Sequence, residues 1–100
     1  MYEATGTIHQ IFNTEQKTER LSIRKFVLEF PNKTNPKYPD LVEFELTGDR
    51  CELLDQFPVG KTVTVGFFIG GRCWVNPTTG SERFFNSLRV MQITAAGGNA

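Results

Sequence analysis

The chain has 100 residues, 39% of them hydrophobic and 22% charged, and its eleven Lys and Arg are balanced by eleven Asp and Glu. A chain of this length buries roughly two-thirds of its surface around one core, so neither a two-domain enzyme nor a disordered chain is expected. The formal net charge of zero excludes coating of a polyanion by bulk charge, and an anionic partner has to be met locally.

The first strand is expected over Tyr2 to Phe12, with Gly6 at its centre, where a missing side chain lets the strand bend or a neighbour approach closely. The opening residues place Glu3 and Gly6 where a secretory signal needs positive charge and an apolar run. No apolar run reaches the length of a membrane span, and a cytoplasmic protein without membrane contact is expected. Asn13 to Leu21 is polar and reads as an exposed connection. The second strand is Ser22 to Phe30, where Phe26, Leu28 and Phe30 alternate with Lys25, Val27 and Glu29. Three prolines between Pro31 and Asp40 forbid a central strand there and favour a long surface loop. The third strand is Leu41 to Thr47, with Val42, Phe44 and Leu46 alternating against Glu43 and Glu45.

Gly48 breaks that strand, and Asp49 is placed to cap a short helix carrying Leu53, Leu54 and Phe57, which Pro58-Val59-Gly60 stops. The fourth strand, Lys61 to Ile69, sets Val63, Val65, Phe67 and Ile69 on one side. It passes Gly70-Gly71, continues through Arg72 to Val75, and meets a turn at Asn76 to Gly80. The fifth strand is Glu82 to Ile93, leaving 94–100 as a small, polar tail expected to be flexible. Cys51 and Cys73 lie in segments of different type and are expected as two reduced thiols. With the lone His9 they do not make up a usual zinc set, so neither metal nor cofactor is expected.

The order is β-β-β-α-β-β, with an interior glycine in the first strand, a long loop between the second and third strands, and the one helix between the third and fourth. This is the order of an all-β, five-stranded OB-fold barrel spanning residues 1–93. On Tyr-Glu-Ala-Thr-Gly-Thr-Ile at 2–8, Lys-Phe-Val-Leu-Glu at 25–29, Pro-Val-Gly-Lys-Thr-Val-Thr-Val at 58–65, Gly-Arg-Cys-Trp at 71–74 and Phe-Phe-Asn-Ser-Leu at 84–88, the chain resembles short OB-fold single-stranded-DNA-binding proteins of the phage type. It is also similar to a related family of small, poorly characterised bacterial OB domains. The resemblance implies a non-catalytic protein that binds single-stranded DNA in replication or recombination. It also departs from that pattern: many such proteins end in an acidic tail that recruits partners, whereas this chain ends Ala-Ala-Gly-Gly-Asn-Ala, so tail-mediated recruitment is not expected.

A strand binder needs cations that follow phosphates and flat side chains on which bases stack. Residues 1–39 carry six Lys and Arg against four Asp and Glu, residues 40–60 one against six, and residues 61–100 four against one. Zero net charge thus hides an acidic middle between two basic ends. Lys17, Arg20, Lys33, Lys37, Arg72 and Arg83 lie on or beside the loops that frame an OB groove. If the alternation continues through Gly70-Gly71, Phe68, Arg72 and Trp74 share the outward face, a stacking platform; a bulge at the glycines would instead bury the indole. Tyr38 either stacks on a base or packs its own loop. Parity with Leu88 and Val90 turns Phe84 inward and Phe85 outward, while Met91 and Ile93 indicate the opposite phase. Lys25 faces outward on the expected binding surface, where Glu43 and Glu45 compete for it. Ile11, Val27 and Phe68 are candidates for self-association into a homo-oligomer. The competing function is an OB module that assembles with a protein partner through the same barrel face. No arrangement of nucleophile and base, phosphate-cradling loop or metal set is visible that would support an enzyme.

Overall fold

The computed structural model describes residues 1–96. Its strands are β1 (Tyr2–Ile11), β2 (Glu15–Gln16), β3 (Ser22–Phe30), β4 (Asp40–Thr47), β5 (Thr62–Val75) and β6 (Glu82–Ala95), with a 3-10 helix at Gly48–Gln56. The sheet order is β1-β5-β6-β4-β3-β2, and an additional β1–β3 pairing closes the five long strands into a barrel. β2 is a two-residue strand laid along Ser22 and Ile23 within the segment expected as a plain connection.

Closure depends on β1 serving two neighbours. Tyr2–Thr7 pairs with Phe67–Thr62 of β5, and Thr7–Ile11 pairs with Glu29–Phe26 of β3, with a register shift between Ile8 and Gln10. At the changeover the backbones come so close that a Cβ on Gly6 would lie 2.9 Å from the Phe30 ring and 3.0 Å from the Glu29 carbonyl oxygen. Only glycine fits there without displacement.

The barrel interior is filled by the alternating sets read from the sequence. Ile8, Phe26, Leu28, Phe44, Leu46, Val63, Val65, Phe67 and Val90 are buried, and Cys51 and Leu54 of the 3-10 helix plug the barrel from one end. Phe44 is central: its ring centroid lies 5.2 Å from that of Phe67, edge to face, and 5.8 Å from that of Phe26. Such pairs add about 0.5–1.5 kcal/mol each beyond area burial. Arg24 ties the plug to the wall, donating from Nη1 to the Asp55 carboxylate (2.8 Å) and to the Cys51 carbonyl (3.1 Å), and from Nε to the Phe12 carbonyl (3.0 Å).

Several expectations need correction. The helix is 3-10 throughout, and its N-cap position is Thr47, with no side-chain cap hydrogen bond, so Asp49 sits in the first turn rather than capping it. β4 begins one residue earlier than read, and β6 continues to Ala95, taking Thr94 and Ala95 out of the expected tail. The remainder of that tail, 97–100, lies outside the described residues. Both cysteines are free, Cys51 buried and Cys73 exposed.

β5 and β6 run on together beyond the buried pair Phe67 and Val90, paired without a shift from Phe68↔Arg89 to Val75↔Glu82. This two-stranded ribbon is about 24 Å long at strand rise. It gives the molecule extents of 54 × 39 × 24 Å and a radius of gyration of 15.5 Å, against about 13 Å for a compact chain of this size. The ribbon turns at Asn76, whose Oδ1 accepts from the Thr78 and Thr79 amides, and at Gly80, which takes a positive φ of 77°.

Candidate nucleic-acid interface

Paired residues of an antiparallel ladder point to the same side, so the register decides what each ribbon face carries. Phe68 pairs with Arg89, Gly70 with Ser87, Arg72 with Phe85 and Trp74 with Arg83. These side chains share the parity opposite Val65 and Phe67, and they form the outer face. No bulge occurs at Gly70-Gly71, and the indole of Trp74 stands 46% exposed. Arg72, Cys73, Trp74, Arg83 and Phe85 line an open groove. Guanidinium groups beside aromatic faces provide both attraction to phosphate and planes for base stacking.

The Phe84–Phe85 ambiguity is resolved by β6 itself. The ladder shifts between Gly66 and Phe67, leaving Met91 without a partner, so residues before and after it are in opposite phase. Phe85 therefore shares the face of Trp74, and Phe84 has the parity of the core. Phe84 is nonetheless 70% exposed, because the ribbon at that level has left the barrel. Ile69 is corrected in the same way: it keeps core parity but is 58% exposed.

The other predicted residues do not join this group. Arg89 and Glu45 are partners in register, and Glu45 is the partner of Lys25, so the outer face of the ribbon runs onto the wall formed by β4 and β3. There Lys25 Nζ lies 3.7 Å from Glu43 Oε1, realising the cross-strand pair that competes with phosphate. A shallow hollow on that wall, lined by Phe12, Asn13, Glu15, Ile23, Lys25 and Glu43, holds one cation against two carboxylates. Lys17 is held by Glu15, and its ammonium, through the hydrogen bond and then its charge, lowers the pKa of that exposed carboxyl.

Lys17 and Arg20 precede the start of β3, while Lys33, Lys37 and Tyr38 follow its end. Nine residues of strand, about 30 Å, separate the two sets, so the expected basic rim is divided. β4 starts where the second loop ends and runs parallel to β6, which starts at the ribbon tip, so Lys33, Lys37 and Tyr38 lie toward the ribbon end. Asn32 Oδ1 organises that loop by accepting from the Thr34 and Asn35 amides, and Tyr38 is 69% exposed rather than packed on the barrel. Of the residues expected for self-association, Ile11 packs against the core, Val27 lies on β3 and Phe68 on β5.

Arg89 is the residue that the sequence reading left out. It faces outward beside Phe68, and among the described residues neither it nor Arg72 nor Arg83 makes an ion pair within 4.0 Å. Its signal was present in the parity of Arg83, Phe85 and Ser87, once the shift at Met91 is known.

The fold has solved counterparts. The mitochondrial single-stranded DNA binding protein Rim1 from S. cerevisiae superposes with a TM-score of 0.70 at 12% identity, covering 95% of this chain and 92% of that one. Its selenomethionine-labelled form gives 0.71 at 11% identity with the same coverage. At such identity the likeness concerns the fold, an OB barrel. No curated protein sequence matches the chain. Residues 3–94, from within the first strand into the last, match the family described as a domain of unknown function (DUF3127), and the chain belongs to that family.

Proposed function

We propose that this protein binds single-stranded DNA with little sequence preference, without catalysis, and so protects or organises strands during replication or recombination. The observation that carries this reading is the outer face of the ribbon. Three arginines free of ion pairs among the described residues alternate there with Phe68, Trp74 and Phe85, at no cost to the core. Every base has a π-face, so stacking on such a ladder tolerates any sequence, at about 1–3 kcal/mol per base. The likeness of the fold to a mitochondrial single-stranded DNA binding protein supports the same reading, and the cytoplasmic location and phage-type affinity are part of the proposal.

Lys33, Lys37 and Tyr38 extend the path from the ribbon, whereas the β3–β4 wall, closed by Glu43 and Glu45, does not contribute phosphate contacts. The test is anisotropy of a labelled oligothymidine of about thirty nucleotides over a range of salt. Engagement of Arg72, Arg83, Arg89 and one loop lysine gives a log-log slope near −3, at about −0.7 per phosphate on single strands. No binding at low salt, or a slope near zero, would reject this function in favour of a protein-interaction module.

A further inference from the structure

The levels of the outer ribbon face are not alike. Phe68 with Arg89, Arg72 with Phe85 and Trp74 with Arg83 each set one ring beside one guanidinium, whereas the level between the first two holds only Gly70 and Ser87. A Cβ on Gly70 would lie 3.0 Å from Ser87 Oγ, so the hydroxyl leans across the ladder toward the place where a side chain at residue 70 would stand. Four larger side chains surround it, Phe68 and Phe85 on one diagonal, Arg72 and Arg89 on the other. Among the described residues, Ser87 Oγ and the guanidinium groups of Arg72 and Arg89 make no hydrogen bond or ion pair.

We propose that this level is the seat of a single phosphate, a reading that rests on strand binding and names the group received at the centre of that face. A phosphodiester of the bound strand is held by Arg72 and Arg89 from opposite corners and by the Ser87 hydroxyl from below. The neighbouring levels lie about 6.8 Å away on either side, so each arginine starts about 7 Å from the centre, within the span of its own extended side chain. Two guanidinium groups converging on that point repel each other unless an anion lies between them. A phosphate there accepts charge-assisted hydrogen bonds from both, roughly twice as strong as neutral ones.

The seat also accounts for the two small residues in a face otherwise built of large ones, since a longer side chain at residue 70 or 87 would stand where the phosphate does. The nucleotides on its two sides are directed to the rings of Phe68 and Phe85, and the strand crosses from the β5 side to the β6 side over Ser87. A phosphate contact fixes register without reading a base edge, in keeping with binding of little sequence preference.

The test begins with inorganic phosphate, which probes the seat without a strand. In the isotope-labelled full chain, phosphate in the millimolar range at constant ionic strength should move the amide resonances of Gly70, Arg72, Ser87 and Arg89 more than those of Lys37 or Arg83. Ser87→Asp, which puts a carboxylate in the seat, should abolish those shifts and weaken oligothymidine binding at least about tenfold. Asn86→Asp adds the same charge one residue away on the opposite face of the ribbon, and should weaken binding by no more than about threefold, because an exposed charge is screened. Ser87→Ala, which keeps both arginines, should fall between the two, and the melting temperature of all three variants should stay near that of the parent. Equal losses in Ser87→Asp and Asn86→Asp would overturn the seat, as would phosphate that leaves Gly70 and Ser87 unmoved. Phosphate shifts at the seat in a chain that does not bind oligothymidine would uphold the seat and reject strand binding.

Discussion

β5 and β6 pass through two environments, and the contrast between their barrel halves and their ribbon halves shows what strand alternation is for. In the barrel, alternation separates buried from exposed: Val63 and Val65 are fully buried while Thr62 and Thr64 face outward, their hydroxyls meeting those of Thr7 and Thr5. In the ribbon nothing is buried by the fold, and the same alternation separates two chemistries. Arginines and aromatics take the outer side, and aliphatic residues with Phe84 take the inner side. A two-stranded ribbon is marginal by itself, and this one is held by ladder continuity with a closed barrel. Buried contacts are concentrated in the barrel, and the exposed surface on which the proposed function rests is concentrated in the ribbon.

That division is broken most severely by substitutions in the barrel. Phe44→Ala should cost about 3–5 kcal/mol, since its ring touches Phe26, Phe30 and Phe67 in the centre of the core. In a domain of this size the melting temperature should fall by more than about 12 °C, and a fall of only a few degrees would show that the core is not organised around that ring. Trp74→Ala should reverse the pattern. It should lower affinity for oligothymidine by about 1–3 kcal/mol and change the melting temperature little, and a large stability loss would place the indole in the core instead.

Charge substitutions sharpen the comparison at smaller amplitude. Arg72→Gln combined with Arg83→Gln should reduce the salt slope of binding by about 1.4, the contribution of two single-strand phosphate contacts, with the fold intact. Lys25→Gln on the β3–β4 wall should do the least. Its ion pair with Glu43 is exposed and worth little, so stability should change by less than about 0.5 kcal/mol and the salt slope not at all. A slope that falls equally for Lys25→Gln would mean that the strand also crosses the wall.

The barrel was legible in the sequence because burial writes a period of two into the chain. Phe26 with Leu28, Phe44 with Leu46, and Val63 with Val65 each announce an inward face, and Gly6 announces the point where two backbones meet. The ribbon was legible only in part. Its outer residues Phe68, Arg72 and Trp74 follow from parity across Gly70-Gly71, whereas Phe84 and Phe85 did not, because the unpartnered Met91 reverses the phase that links them to the core. The length over which β5 and β6 leave the barrel is set by where β4 stops pairing with β6, a long-range fact that neither strand's own residues record. The same holds for the division of the basic loops: Lys17 and Lys33 are near in sequence and are separated by the whole length of β3.

The central claim, that the outer ribbon face is the strand-binding surface, is tested most directly by following backbone amide resonances of the labelled protein as oligothymidine is added. Shifts concentrated at Arg72–Trp74, Arg83–Phe85 and Arg89, with smaller ones at Lys37 and Tyr38 and little change at Lys25 and Glu43, are the expected result. Shifts centred on the β3–β4 wall, with the ribbon silent, would contradict it.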